Sequence, residues 1–233
     1  MTAKQSGTND LPTPQKIRIW DLPTRLFHWL FAACVIGAII TVKAGGDLMQ
    51  WHLPLGVSAL MLLLFRIVWG FTGSRYARFS QFVKCPRTAL AYLKQPHKME
   101  SPGHNPIGGW SVIALLTVVG IQAVTGLFTS DDILVQGPLY NYVSSSTASL
   151  MTTIHKWNEK ALFILIALHL VAIVIYAVKG KRLVPPMITG DKSTQTLAPD
   201  TLAARDDIGL RAWALVLIIL FVSVGVWLVK LAQ

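Results

Sequence analysis

Five long apolar runs separated by polar stretches set the plan of this chain: Leu26–Val42, Leu53–Phe71, Trp110–Phe128, Ala161–Val178 and Ala212–Val229. Each can cross roughly 30 Å of hydrocarbon, which takes about 17–25 helical residues. Helix is the required conformation, because an open strand leaves unpaired backbone groups in lipid. The fourth run is expected to start earlier, near Leu150, and to project beyond the bilayer. The pattern predicts an all-α integral membrane bundle, four helices forming a core and a fifth added at the end.

The polar stretches set the boundaries. Residues 1–22 form an N-terminal segment, 23–184 the four-helix domain, 185–210 a linker and 211–233 the fifth membrane helix. The linker opens at Pro185-Pro186, and its polar tract Thr189–Asp207 leads into the last span. The first 25 residues are polar and contain Pro12, Pro14 and Pro23, so no cleavable signal peptide is expected.

Composition agrees with this plan. The chain has 233 residues, 53% of them hydrophobic and only 14% charged, against about 25% charged in an average soluble domain. Cys34 lies in an apolar run and Cys85 in a polar loop, and there is no C-x-x-C-H for covalent haem attachment.

The net charge of +10 changes the picture only through its distribution. Lys4, Lys16, Arg18 and Arg25 precede span 1. Arg75, Arg78, Lys84, Arg87, Lys94 and Lys98 lie between spans 2 and 3, and Lys179, Lys181, Arg182, Lys192, Arg205 and Arg211 between spans 4 and 5. The other two loops, Ala44–Trp51 and Thr129–Ser149, have neither Lys nor Arg, and the second holds Asp131 and Asp132. The positive-inside rule predicts a cytoplasmic N-terminus and an external C-terminus. The basic charge is thus a topology signal, and no nucleic-acid partner is expected.

Histidine supplies the candidate chemistry. His97 and His104 sit among Pro96, Pro102, Gly103 and Pro106 and read as solvated loop residues. His28, His52, His155 and His169 lie within or at the ends of spans, where an ionisable group is costly and points to function. His155 and His169 are 14 residues apart on one helix. They therefore differ by about 40° around its axis and by about 21 Å along it. One helix face offers an imidazole at two depths.

Alternating topology gives each a partner. His28, near the cytoplasmic start of span 1, pairs with His169, and His52, at the external start of span 2, pairs with His155. Two neutral imidazoles from facing helices suit the two faces of a haem iron. Two haems, an inner and an outer one, are therefore expected. Arg66 lies 14 residues after His52, on the same face at the inner depth. A haem propionate is a suitable partner for it, and snorkelling to the interface is the alternative. Arg25 is within reach of the same propionates. Gly56 suits either a close porphyrin approach or a helix contact. Glu159 is a candidate proton group for an external quinone site, or else a surface charge beside Lys156 and Lys160.

The segments RIWDLPTRLFHWL, GHNPIGGWSVIALL, TGLF and HKWNEKALFILIALHLVAIVIY, with the histidine opening span 2, resemble the bacterial cytochrome b-561 and nickel–iron-hydrogenase b-type cytochrome family. The resemblance covers roughly Ile17 to Lys192. It implies a four-helix membrane bundle that binds b-haem through paired histidines and links quinone to an electron donor or acceptor. The matching ligand positions are His28, His52, His155 and His169. The related formate dehydrogenase membrane subunits pair histidines of helices 1 and 4 at one haem and of helices 2 and 4 at the other. The fifth span departs from the family pattern. The tract LVPPMITGDK is similar to family members associated with periplasmic c-type cytochromes.

The expectation is a bacterial inner-membrane cytochrome b with two haem b groups. It would relay electrons between quinone and a protein partner, such as a periplasmic c-type cytochrome or a dehydrogenase subunit. The external loop Thr129–Ser149 is long enough to form a docking surface. An alternative is a quinone-linked enzyme acting on a small molecule such as superoxide at an exposed haem edge. A cationic external funnel would favour that reading; the external loops lack Lys and Arg, though Lys43, Lys156 and Lys160 lie close to that surface. A metal or proton transporter would be expected to add carboxylates or Cys near the histidines, and only Glu159 is near any of them.

Overall fold

The computed structural model describes residues 15–94, 101–130, 136–194 and 201–232. His97, Asp131 and Asp132 lie outside them. Five helices are long and apolar enough to cross a membrane. They are α1 (Leu22–Ala44), α2 (His52–Thr72), α5 (Pro106–Gly126), α6 (Ser145–Val178) and α8 (Ile208–Leu231). Short helices α3 (Phe79–Phe82) and α4 (Pro86–Lys94) lie between α2 and α5, and α7 (Val184–Thr189) follows α6. At 34 residues, α6 is about 51 Å long, well over the hydrocarbon thickness. It starts at Ser145, earlier than the apolar pattern suggested.

Local chemistry places the helix starts. Asp21 Oδ1 accepts from Thr24 N at 2.6 Å, Asn105 Oδ1 from Gly108 N at 2.7 Å, Ser144 Oγ from Thr147 N at 3.2 Å and Asp207 Oδ1 from Leu210 N at 3.0 Å. Each satisfies an otherwise orphaned first-turn amide. Pro23 and Pro106 stand in first turns, where a missing N–H costs nothing.

The central helix is α2. It packs on α1, α5 and α8, while α6 packs along α5. Val57, Leu60, Met61 and Leu63 of α2 join Val119, Leu162 and Leu228 in one core cluster. A second cluster gathers Phe27, Phe65, Trp69, Ala214 and Leu217 nearer the basic end. The fifth helix fits closely: a Cβ at Gly225 would lie 2.9 Å from Met61 Cγ and 3.7 Å from Val57 Cγ1. Val57 and Met61 stand about 140° and 180° around α2 from His52. Helix α8 therefore covers the side of α2 away from that histidine.

The polar stretches at the basic end contain structure that periodicity did not reveal. Strands β1 (Gln15–Arg18) and β2 (Asp191–Thr194) pair antiparallel, with Ile17 opposite Lys192. Gly190, at φ +91°, turns α7 into β2, and its carbonyl accepts from Ile19 N at 2.9 Å and Trp20 N at 3.1 Å. Asp206 ties the beginning, the linker and the last span together. It accepts from Arg18 at 2.9 Å, Arg211 at 3.0 Å and Leu22 N at 3.2 Å. Partial burial pushes its carboxyl up, but hydrogen bonds from Arg211 and Leu22 N and the nearby cations outweigh this and leave its pKa lowered. The tract read as a linker is thus anchored at both ends.

Candidate functional site

The four span histidines fall in two groups at the two ends of the bundle. At the end opposite the basic loops, the rings of His52 and His155 lie 6.3 Å apart, centre to centre, at 89° to each other. His52 Nδ1–H donates to Ala38 O of α1 at 2.9 Å, and His155 Nδ1–H to Gln122 O of α5 at 2.8 Å. Thr125 Oγ1 stands 3.2 Å from the same His155 nitrogen. Each imidazole is thus oriented by the neighbouring helix through Nδ1, which leaves Nε2 as a free lone pair. On the far side of His155 a Cβ at Gly126 would lie 3.0 Å from Cε1. The glycine of TGLF therefore permits the ring to sit where it does. Gly56 meets nothing on its open side.

Sequence reasoning missed Gln122, Thr125 and Gly126. It also missed Asn158, whose Nδ2 donates to Gln122 Oε1 at 2.7 Å and Val118 O at 2.9 Å. Two amides facing each other from apolar spans were the available signal. Glu159 is engaged by Lys43 of α1 in an ion pair. Lys43 also stands 5.8 Å from the centre of the Phe163 ring. The surface-charge reading of Glu159 therefore fits the structure better than a proton group.

At the basic end His28 lies within electrostatic reach of His169. Arg66 is 3% exposed, so its guanidinium does not end in water. Its Nη2 donates to Ala77 O at 2.9 Å, and the guanidinium stacks near Phe79 at 4.9 Å and Phe82 at 5.8 Å. A buried carboxylate, Asp21, also acts electrostatically on it. Asp21 is fully buried and held by Ser74, Thr24 and Trp69, a polar cluster that the sequence pattern did not disclose. Arg25 Nη1 donates to Ile188 O of α7 at 2.6 Å.

His104 requires a correction. Read as solvated, it is instead packed between Trp20, 4.8 Å away at 65°, and Phe82, 4.7 Å away at 44°. Burial, then the charges of Arg66, His28 and His169, hold its pKa down to about 3. The imidazole is therefore neutral at pH 7. The prolines and glycine around it suggested a loop in water, but that loop folds back over the helix ends.

Four buried side-chain nitrogens among the described residues lack a hydrogen-bond partner: Arg25 Nε, His28 Nδ1, Arg66 Nη1 and His104 Nδ1. All belong to the basic end. Orphaned buried polar nitrogens cost about 1–3 kcal/mol each, and a group rich in acceptor oxygens would satisfy those that carry a proton. Among the described residues no three or more His, Cys, Asp or Glu gather as a metal site.

The family model described as prokaryotic cytochrome b561 matches residues 19–190. The chain belongs to this family. It is therefore a membrane b-type cytochrome of electron transfer, and haem b is the cofactor that the family implies. The match ends before α8, so the fifth helix lies outside the region shared with the family. Comparison with curated proteins and with solved structures returns no match.

In this cytochrome b561 the histidines fit haem. Imidazole–metal bonds of about 2 Å, with each nitrogen about 1 Å from its ring centre, put two imidazoles on one metal about 6 Å apart. The His52–His155 spacing of 6.3 Å agrees with that. At the basic end, the unpartnered nitrogens of Arg25 and Arg66 suit carboxylate oxygens such as haem propionates.

Proposed function

We propose that this cytochrome b561 relays electrons between quinone and a redox protein partner through two haem b groups at two depths of the membrane. His28 and His169 hold the inner haem, and His52 and His155 hold the outer one. The observation that carries this reading is the His52–His155 pair, with each Nδ1 bonded to a carbonyl of the neighbouring helix. The hydrogen bonds fix the tautomer and raise the basicity of Nε2, as a ligand to iron requires. When bound, the haems supply one-electron chemistry. The protein's own residues fix their separation, since one helix, α6, carries a ligand of each.

The orphaned nitrogens of Arg25 and Arg66 support propionate binding at the inner site. Burial of Arg66 without a full set of partners is costly unless an anion completes it. With the basic loops cytoplasmic, the N-terminus is cytoplasmic and the C-terminus periplasmic in a bacterial inner membrane. The partner, a periplasmic c-type cytochrome or a dehydrogenase subunit, then meets the outer end, where α6 rises beyond the hydrocarbon. The superoxide alternative gains little support. Of the three lysines near that surface, Lys43 is paired with Glu159 and Lys160 Nζ stands 3.7 Å from the centre of the Trp157 ring, while Lys156 is exposed.

Substitution of each ligand tests the pairing. His28→Ala and His169→Ala should each lose the inner haem and keep the outer, whereas His52→Ala and His155→Ala should do the reverse. Haem-to-protein ratio and redox titration of the reduced absorption band read the outcome. A His52→Ala protein that keeps both haems sinks the outer assignment. A dithionite-reduced spectrum with no b-type band sinks the whole reading.

A further inference from the structure

The GHNP loop holds one more group toward the inner haem, and the inference rests on the two-haem reading above. His104 reaches the inner site as a fixed element. The next residue, Asn105, caps α5 through Gly108 N and donates from Nδ2 to Tyr176 Oη of α6 at 2.7 Å. Tyr176 lies seven residues, about two turns, beyond His169 on the same helix. The loop is therefore braced against the helix that carries the inner ligand. Trp20 and Phe82 confine the imidazole, and Phe82 also lies beside the Arg66 guanidinium.

What remains on His104 is a buried Nδ1 with no partner. The charges of Arg66, His28 and His169 all reach this residue, and Arg66 carries an unpartnered nitrogen of its own. A lone neutral imidazole in an apolar wall satisfies Nδ1 with any nearby acceptor. Here the polar neighbours are Arg66, His28 and His169, and the common complement is a carboxylate or phosphate oxygen. The haem propionates are the anions that the ligand pair itself delivers to this depth.

We infer that His104 is a positioning residue for the inner haem, donating its Nδ1–H to a propionate whose charge Arg66 and Arg25 balance. A neutral donor does what a third cation would not. It satisfies an oxygen without adding positive charge beside two arginines. A lipid phosphate at the basic interface offers the same oxygens, so the test separates the two sources.

The experiment is redox titration of purified holoprotein with the haem-to-protein ratio taken on the same samples, for wild type, His104→Leu and His104→Gln. Losing the donor leaves more negative charge near the inner iron and favours its oxidised form. For His104→Leu the expected result is an inner reduction equilibrium about tenfold less favourable, 59 mV for one electron, with the outer haem unmoved. His104→Gln, which keeps an N–H donor, should restore most of the shift. If the Leu variant drops the inner haem altogether, retention and near-normal potential in the Gln variant support the same conclusion.

An unchanged inner potential in His104→Leu, with two haems retained, overturns the inference and leaves the two-haem reading standing. So does an equal shift of both haems. An effect that disappears in phospholipid-free detergent puts a lipid phosphate on His104 and overturns it as well. A wild-type protein with a single haem at His52 and His155 overturns the reading and the inference together.

Discussion

Gly126→Ala places one methyl group against the ring that carries an outer ligand. The added Cβ would stand 3.0 Å from His155 Cε1 and 3.4 Å from Nδ1, where ordinary contact is about 3.5–4 Å. The ring must give by roughly half an ångström, measured against that contact distance. The 2.8 Å bond to Gln122 O is what that movement strains, and it is the bond that orients Nε2. Loss of such an orienting partner typically lowers metal affinity about 10–100-fold, or about 1.4–2.8 kcal/mol. Gly126→Ala should therefore weaken the outer haem by that factor, and Gly126→Val by more. The assay is haem retention through graded detergent washing, followed by redox titration. The inner haem acts as internal control, because Gly126 is remote from His28 and His169. If Gly126→Ala keeps the outer haem with unchanged affinity and potential, the ring is not held as described, and the argument from His155 geometry fails.

Three further outcomes are expected. Arg66→Met removes the hydrogen bond to Ala77 O and the contact with Phe79. A charged hydrogen bond is worth about 1.5–3 kcal/mol, part of it offset by relief of a buried charge. Thermal denaturation in detergent should show a loss of about 2 kcal/mol together with weaker inner-haem retention, and no change in either would count against a propionate role. Asp206→Asn cuts the ties from Arg18 and Arg211 to the start of α8. Because the folded carboxyl is shifted down, its stabilisation is present above the unfolded value of about 3.9 and is lost as pH falls below it. Melting temperatures measured from pH 7 to pH 3 should drop for wild type and respond less in Asp206→Asn. Glu159→Gln breaks an ion pair with a half-exposed lysine, worth up to about 1 kcal/mol. It should leave quinol oxidation kinetics unchanged, and a collapse in rate would restore Glu159 as a proton group.

The helices and the four histidines were legible in the sequence because both rest on local rules. Lipid demands long apolar helices, so Leu22–Ala44 and its four counterparts stand out by hydropathy alone. Helical rotation places His155 and His169 on one face whatever packs against them. Partners from other helices were not legible. Gln122 offers its carbonyl to His155 from 33 residues away, and no periodicity encodes which carbonyl of α5 meets which ring of α6. The same holds for Ala38 and His52.

His104 shows the limit most directly. By itself the sequence determined a polar, proline-rich turn, since Pro102 and Gly103 disfavour helix there and Pro106 suits a helix start. Only the tertiary structure decided that the turn folds inward, because burial depends on Trp20, Phe82 and the Asn105–Tyr176 bond. The sequence likewise determined that an arginine interrupts α2, but the side on which it ends up was a matter of packing. Phe79 and Phe82 cover Arg66, and snorkelling was otherwise available to a side chain of that length. Local rules fix which residues a helix presents and at what depth. Whether a polar side chain meets water or a partner is settled by what the rest of the chain lays over it.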